Sequence, residues 1–225
     1  MRESHADMTA MVDTYQRRAR WWHRLLRPPL PLVPNPHERG LPVDAAARCL
    51  MLGGAGQTAA RNFVNVDIAP VTGVDVVADG ARLPFADATF DMIESDAVLE
   101  HVPDPAVVIG ELRRVLRPGG LIHVVVPFNH PFHAYPNDYH RWTLVALQQD
   151  LAPLEILDAG VRTGPAATWL LYTLTFIKVI VPGTPGKALG AIAGWILWPI
   201  RYVDLFLYGT NRAHILANSI YVLAR

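Results

Sequence analysis

The side chains best equipped for chemistry gather in PFNHPFHAYPNDYHRWT, residues 127–143. His130, His133, His140, Asp138, Tyr139 and Arg141 crowd into this run, between prolines that break regular structure. Imidazole changes charge near neutral pH, so a histidine here suits removal of a proton from a hydroxyl acceptor. The candidate catalytic residues are His133 as base, Asp138 or Tyr139 to orient it, and Arg141 to hold an anionic group. His101, in the earlier Glu100-His101 pair, either faces the substrate or caps the helix that begins near Asp104. A plainer reading stands beside these: Asp138 pairs with Arg141 and Tyr139 packs, fixing the loop. Both can hold, since a lid must be shaped before it selects. His130, His133, Asp138 and His140 are also metal-ligand types, but their spacing matches no helix-borne pattern, so no metal is expected.

Such a loop needs a scaffold, and the preceding residues supply one. Arg48–Leu52 reads as a strand followed by the turn Gly53-Gly54-Ala55-Gly56, and Phe63–Asp67 as a second strand. Val74–Ala78 runs into Asp79-Gly80, and Phe90–Ile93 into Ser95-Asp96. A helix opens at Pro103-Asp104-Pro105 and closes at Arg117-Pro118-Gly119-Gly120, and the strand Leu121–Val126 follows. This alternation predicts a parallel sheet with polar groups at the strands' carboxyl ends, where such sheets bind ligands. The glycine turn lets backbone approach a ligand. Asp67 can accept from both hydroxyls of a ribose, though strand-end aspartates often serve only as caps.

Three ordered motifs carry a resemblance: Asp79…Leu83-Pro84-Phe85-Ala86-Asp87…Phe90-Asp91, then Leu99-Glu100-His101-Val102-Pro103-Asp104-Pro105, then Arg114-Val115-Leu116-Arg117-Pro118-Gly119-Gly120. Together they resemble the class I S-adenosylmethionine-dependent methyltransferases of the type 11-like group, most closely over residues 48–127. The resemblance implies an α/β, Rossmann-like sheet, mostly parallel with an antiparallel last strand, and S-adenosylmethionine as cofactor. It places Gly53, Gly54, Ala55 and Gly56 around the methionine end, Asp67 by the ribose, Ile68 next to it in the cofactor site, and Asp79, Gly80 and Ala81 by the adenine. Ser95 and Asp96 line the cofactor's edge, with Val98 and Leu99 packed beneath. In bacterial members a similar loop string corresponds to His133, Pro136, Asp138, Tyr139, Arg141, Trp142 and Thr143. The chain departs from the pattern where Met51 replaces an acid and Ala55 a glycine, and where Gly56 and Asp67 stand only eleven residues apart, against about 20.

The 225 residues suffice for one α/β domain with extensions. Balanced charge gives no reason to expect nucleic acid as a partner, and the single Cys49 reads as a core residue. Residues 1–42 read as an amphipathic helix, with arginines from Arg17 to Arg27, and a proline-rich strap; 43–160 as the core. Thr143 caps a short helix, Leu154–Asp158 is the sixth strand, and 213–225 hold the last, Ile220–Ala224. Between them, 161–212 form an apolar helical hairpin. Its runs Pro165–Ile177 and Ala188–Ile200 are short of the ~20 residues a membrane span needs. It serves as lid, homodimer interface or peripheral membrane contact, in a protein expected in the cytoplasm or on the membrane's inner face. The function expected is methylation, O-directed, of a small-molecule, glycan or lipid-linked acceptor. The alternatives are a catalytically inactive scaffold of the same fold and, last, a nicotinamide-dependent oxidoreductase.

Overall fold

The computed structural model describes residues 28, 32–42, 44, 46–55, 62–134 and 137–225. The helix expected over 1–27, Gly56, Tyr135 and Pro136 lie outside the described residues. Seven strands form one sheet: β1 (Cys49–Leu52), β2 (Phe63–Asp67), β3 (Val76–Val77), β4 (Phe90–Asp96), β5 (Leu116–Pro127), β6 (Ile156–Thr163) and β7 (Ser219–Ala224). Their order is β3-β2-β1-β4-β5-β7-β6. The first five pair in parallel, while β7 runs antiparallel to both β5 and β6. The chain winds outward in one direction from β1 and in the other from β4. The crevice at the carboxyl ends of these two strands is therefore the switch point at which such sheets take ligands.

Helix α1 (Pro105–Val115) covers one face. Its first turn is set by Pro105, whose missing N–H costs nothing there, and by the Asp104 carboxylate, which accepts from the amides of Ala106 and Val107 at 3.2 and 3.4 Å. Val108, Ile109, Leu112 and Val115 fall on one side and bury themselves against Leu50, Ile93 and Ile122. Each such side chain contributes about 1.5–3 kcal/mol by leaving water. The helix stops at Val115, before the Pro-Gly-Gly expected to close it. Pro118 disfavours helical backbone at Arg117, and Leu116 instead pairs with Phe90 and lengthens β5. Helix α2 (Leu144–Asp150) starts where Thr143 Oγ1 accepts from the Ala146 amide, as expected. β3 is shorter than the predicted run, and β6 lies later, because residues from Ala159 to Thr163 find partners along β7.

The hairpin forms, with boundaries of its own. α3 (Pro165–Ile180) and α4 (Gly183–Leu197) are parted only by Val181-Pro182, not by the six residues Val181–Gly186. Gly186 makes this tight reversal: a Cβ there would lie 1.6 Å from the Val181 carbonyl oxygen. After a 3₁₀ turn, Trp198–Tyr202, α5 (Val203–Leu207) prolongs α4. Gly183–Leu207 is thus 25 residues, long and apolar enough by length and composition to cross a membrane, which corrects the estimate from two thirteen-residue runs. Asp204 of α5 ties the end of the hairpin back to its start. Its buried carboxylate accepts from the first free amides of α3, Ala166 at 2.8 Å and Ala167 at 3.0 Å. The strap lies across the far strands: Asn35 donates to the Val161 carbonyl at 2.6 Å, and Tyr208 Oη donates to Val33 at 2.7 Å.

Candidate functional site

The carboxyl edge of β1 to β4 gathers the residues expected to meet the cofactor. Gly53 turns away from β1 with φ +71°, and a Cβ there would strike the Val98 side chain at 2.2 Å, so this turn is open to backbone only. Ala55 also adopts a positive φ. Asp67 ends β2, and its two oxygens accept from the amides of Ala55 at 3.0 Å and Ala69 at 2.9 Å. The carboxylate therefore holds the glycine turn against the end of β2, and its remaining lone pairs are what a ribose could use. Ile68 beside it is 45% exposed. Asp79 accepts from the Ala81 amide at 2.9 Å and otherwise faces solvent, with Gly80 packed over Leu52 and Val108. Arg114 fixes the loop below: it donates to the carbonyls of Leu83 and Phe85, to Asp87 and to Glu111. That gives the Leu-Pro-Phe motif and the helix arginine a structural meaning.

One expectation changes at the end of β4. Ser95 is completely buried between β1 and β5, so its side chain belongs to the sheet and not to an open edge. Asp96 does reach the edge, 3.6 Å from Arg162 of β6, and burial raises its carboxyl pKa while Arg162 pulls it down. Leu99 is buried as predicted, with Val98 half-buried against the core.

The chain then makes a 3₁₀ turn, Leu99–His101, and the loop after β5 folds onto it. The Tyr139 amide donates to the Glu100 carbonyl at 2.7 Å, His101 Nδ1 lies 2.5 Å from the Asn137 carbonyl, and His140 Nε2 lies 3.2 Å from that of Pro103. Trp142 anchors the far end through its indole N–H to Asp150 at 2.8 Å. The result brings Glu100, His101 and His133 together. Glu100 is fully buried, and one of its oxygens stands 3.5 Å from His133 Nε2 and 3.8 Å from His101 Nε2. Neither oxygen accepts a hydrogen bond of good geometry among the described residues. His133 donates its amide to Asp138 at 2.9 Å, and its Nδ1 lies 3.2 Å from the Pro131 carbonyl and 3.5 Å from Asp138.

Arg141 grips Asp138 with both terminal nitrogens and also reaches the His130 carbonyl. Its guanidinium is thus committed to bracing the loop, which is the plainer of the two readings. That grip holds the Asp138 carboxyl well below the usual range. The Glu100 carboxylate raises the His133 imidazole, partly offset by burial, whereas burial lowers His130. Tyr139 is half-exposed and takes no side-chain partner among the described residues other than the tilted ring of His140, 6.1 Å away. His130, His133 and His140 do not converge as a set with Asp138. The ligand-type cluster is Glu100, His101 and His133, whose atoms lie within 4.8 Å of one another. Glu100 stands in a sequence motif but takes no role of its own there, because its importance comes from a loop over thirty residues downstream. Glu38 escaped the sequence reading: the strap carries it to His123 Nε2 at 3.1 Å and Arg162 at 2.9 Å, under the sheet.

Residues 49–124 match the family model described as "Methyltransferase domain". A demethylmenaquinone methyltransferase from Mycolicibacterium vanbaalenii is 34% identical over 116 residues, half of each chain. An uncharacterized methyltransferase from Mycobacterium sp. strain KMS is 53% identical over 53 residues, 24% of this chain and 21% of that one. The chain therefore spans half or less of the curated relatives it matches. Among solved structures, a Bacillus halodurans protein of this fold aligns with TM-score 0.51 and 15% identity, over 81% of this chain and 94% of that one. The [4+2]-cyclase SpnF aligns with TM-score 0.50 and 19% identity, over 81% and 76%. At these identities the likeness is one of fold.

Proposed function

We propose that this chain, whose residues 49–124 form a methyltransferase domain on a class I Rossmann-like sheet, methylates a hydroxyl of a small-molecule, glycan or lipid-linked acceptor. The observation that carries the reading is the switch-point crevice, where a glycine turn, Asp67, Asp79 and Asp96 face one edge, and a histidine-rich loop closes over its end. S-adenosylmethionine fits this edge: a bare backbone turn suits its carboxylate end, a carboxylate its ribose, and Asp79 with exposed Ile68 its adenine. When bound it supplies an electrophilic methyl group on a sulfonium. The protein's part is then placement in a site shielded from water. His133, on the loop's inner side, is the residue set to engage the acceptor oxygen, with Glu100 and Asp138 fixing its ring. His133→Ala should lower turnover by about 10²–10⁴, the range of a lost acid–base group, while leaving S-adenosylhomocysteine affinity within twofold. Unchanged turnover would remove the assignment.

The hairpin supports an amphiphilic acceptor and contact with lipid. It leaves the same edge of the sheet and presents Trp169, Phe176, Ile192, Trp195, Ile196 and Phe206 to solvent, Phe206 at 82% exposure. Only Lys178, Lys187, Arg201 and Asp204 are charged between Pro165 and Gly209. Tryptophan and tyrosine at an apolar surface suit the level of lipid headgroups. Pro28 seats against α4 at Gly194, and the sequence from Arg17 to Arg27 carries five arginines, a charge that complements anionic lipid. An inactive scaffold has one observation in its favour, the capture of both Asp67 oxygens by backbone amides. The cofactor titration described below separates the two readings.

A further inference from the structure

We infer that Glu100, His101 and His133 form a binding site for a divalent transition-metal ion of the Zn²⁺ or Co²⁺ type. The inference starts from the hydrogen positions that the geometry imposes. His101 Nδ1 faces the Asn137 carbonyl at 2.5 Å, and His133 Nδ1 faces the Pro131 carbonyl at 3.2 Å, with Asp138 at 3.5 Å. Carbonyl and carboxylate oxygens only accept, so each Nδ1 carries a proton, and each Nε2 offers a lone pair when its ring is neutral. Both Nε2 atoms lie near the same oxygen of Glu100, at 3.8 and 3.5 Å. The two rings thus flank a wholly buried carboxylate for which the described residues supply no hydrogen-bond donor at good distance.

Left alone, that arrangement is costly, because a buried charge without a partner loses its hydration and gains nothing. A proton on His133 would relieve one contact and leave His101 unanswered, and both separations are too long for a good hydrogen bond. A cation among the three relieves all of them. Two imidazoles and one carboxylate are a ligand set that zinc uses where a further position stays open. The partners on Nδ1 are the outer hydrogen bonds that metal-binding histidines usually make, and they fix the tautomer that binds. Tetrahedral zinc ligands lie about 3.4 Å apart, so a set already within 4.8 Å needs only small ring movements to close. His133 is one-third exposed and leaves a way in. The site shares His133 with the reading above, and a metal on its Nε2 would leave that atom no lone pair for an acceptor. The metal titration needs neither S-adenosylmethionine nor an acceptor, so its failure is distinguishable from failure of that reading.

Co²⁺ is the probe, because a low-symmetry nitrogen–oxygen site gives it visible absorption stronger than, and shifted from, the weak bands of hydrated Co²⁺. Metal-free full-length protein titrated with CoCl₂ should saturate at one equivalent, and ZnCl₂ should abolish the bands. Glu100→Gln and His133→Ala should each remove them, and Asp138→Asn should weaken binding roughly tenfold to a hundredfold, as loss of an outer partner does. Circular dichroism and S-adenosylhomocysteine binding, measured on the same samples, separate a lost site from a lost fold. No saturable absorption, or absorption that persists in both His133→Ala and His101→Ala, would overturn the assignment.

Discussion

At the residue scale, several motif residues bear on shape before they bear on reaction. Arg141 expects an anion in the sequence and finds Asp138 in the fold; Asp67 expects a ribose and already holds Ala55 and Ala69. Glu111 shows the same economy. Its carboxylate takes the Arg114 guanidinium at 2.8 Å and the Leu83 amide at 2.8 Å, and the Arg114 bond chiefly lowers its pKa to about 2. The folded value lies below the unfolded one, so this contribution is complete above pH 4.5 and is lost as pH falls toward 2. The gap in unfolding midpoint between wild type and Glu111→Gln should therefore stay constant from pH 7 to 5 and narrow below 4.5. A gap independent of pH would assign the effect to packing alone. Gly53→Ala should disturb the cofactor edge at once, since its Cβ would enter the Val98 side chain. Loss of S-adenosylhomocysteine binding with the melting temperature within a few degrees of wild type is the expected pattern.

At the element scale, what the sequence disclosed depended on whether the cause was local. β1, β2, β4 and β7 show as apolar runs because one or both of their faces are buried, and α1 shows its cap and its stripe. The ends of β6 and α1 were misplaced because neighbouring strands, not local propensity, decide them: Ala159 pairs with Val222 and Leu116 with Phe90. The meeting of Glu100 with His133, and of Glu38 with His123, spans too much sequence for any spacing rule. Asp204 belongs to the same class, reaching back across the hairpin to cap α3. Asp204→Ala leaves those buried amides without acceptors, and removal of such a cap costs about 0.5–2 kcal/mol. A lower melting temperature, with the hairpin cut first by protease, is the expected result; an unchanged digestion pattern would deny Asp204 this role.

At the scale of the whole molecule, one sheet edge serves two bodies. The switch-point crevice is the cofactor site proposed above, and the hairpin that departs beside it carries exposed apolar side chains. Vesicles containing anionic lipid should sediment the wild-type protein, and Phe176→Ser with Phe206→Ser should release it; sedimentation equal in wild type and variant would refute lipid contact through this face. The most direct measurement is calorimetric titration with S-adenosylhomocysteine, comparing wild type with Asp79→Ala. Asp79 is exposed, and among the described residues its carboxylate accepts only from the Ala81 amide, so its loss should leave the fold intact. The account predicts one saturable site on the wild type, weakened about tenfold or more in the variant, as loss of a hydrogen bond to a charged group implies. No binding to the wild type, or equal binding to both, would contradict a cofactor site at this edge.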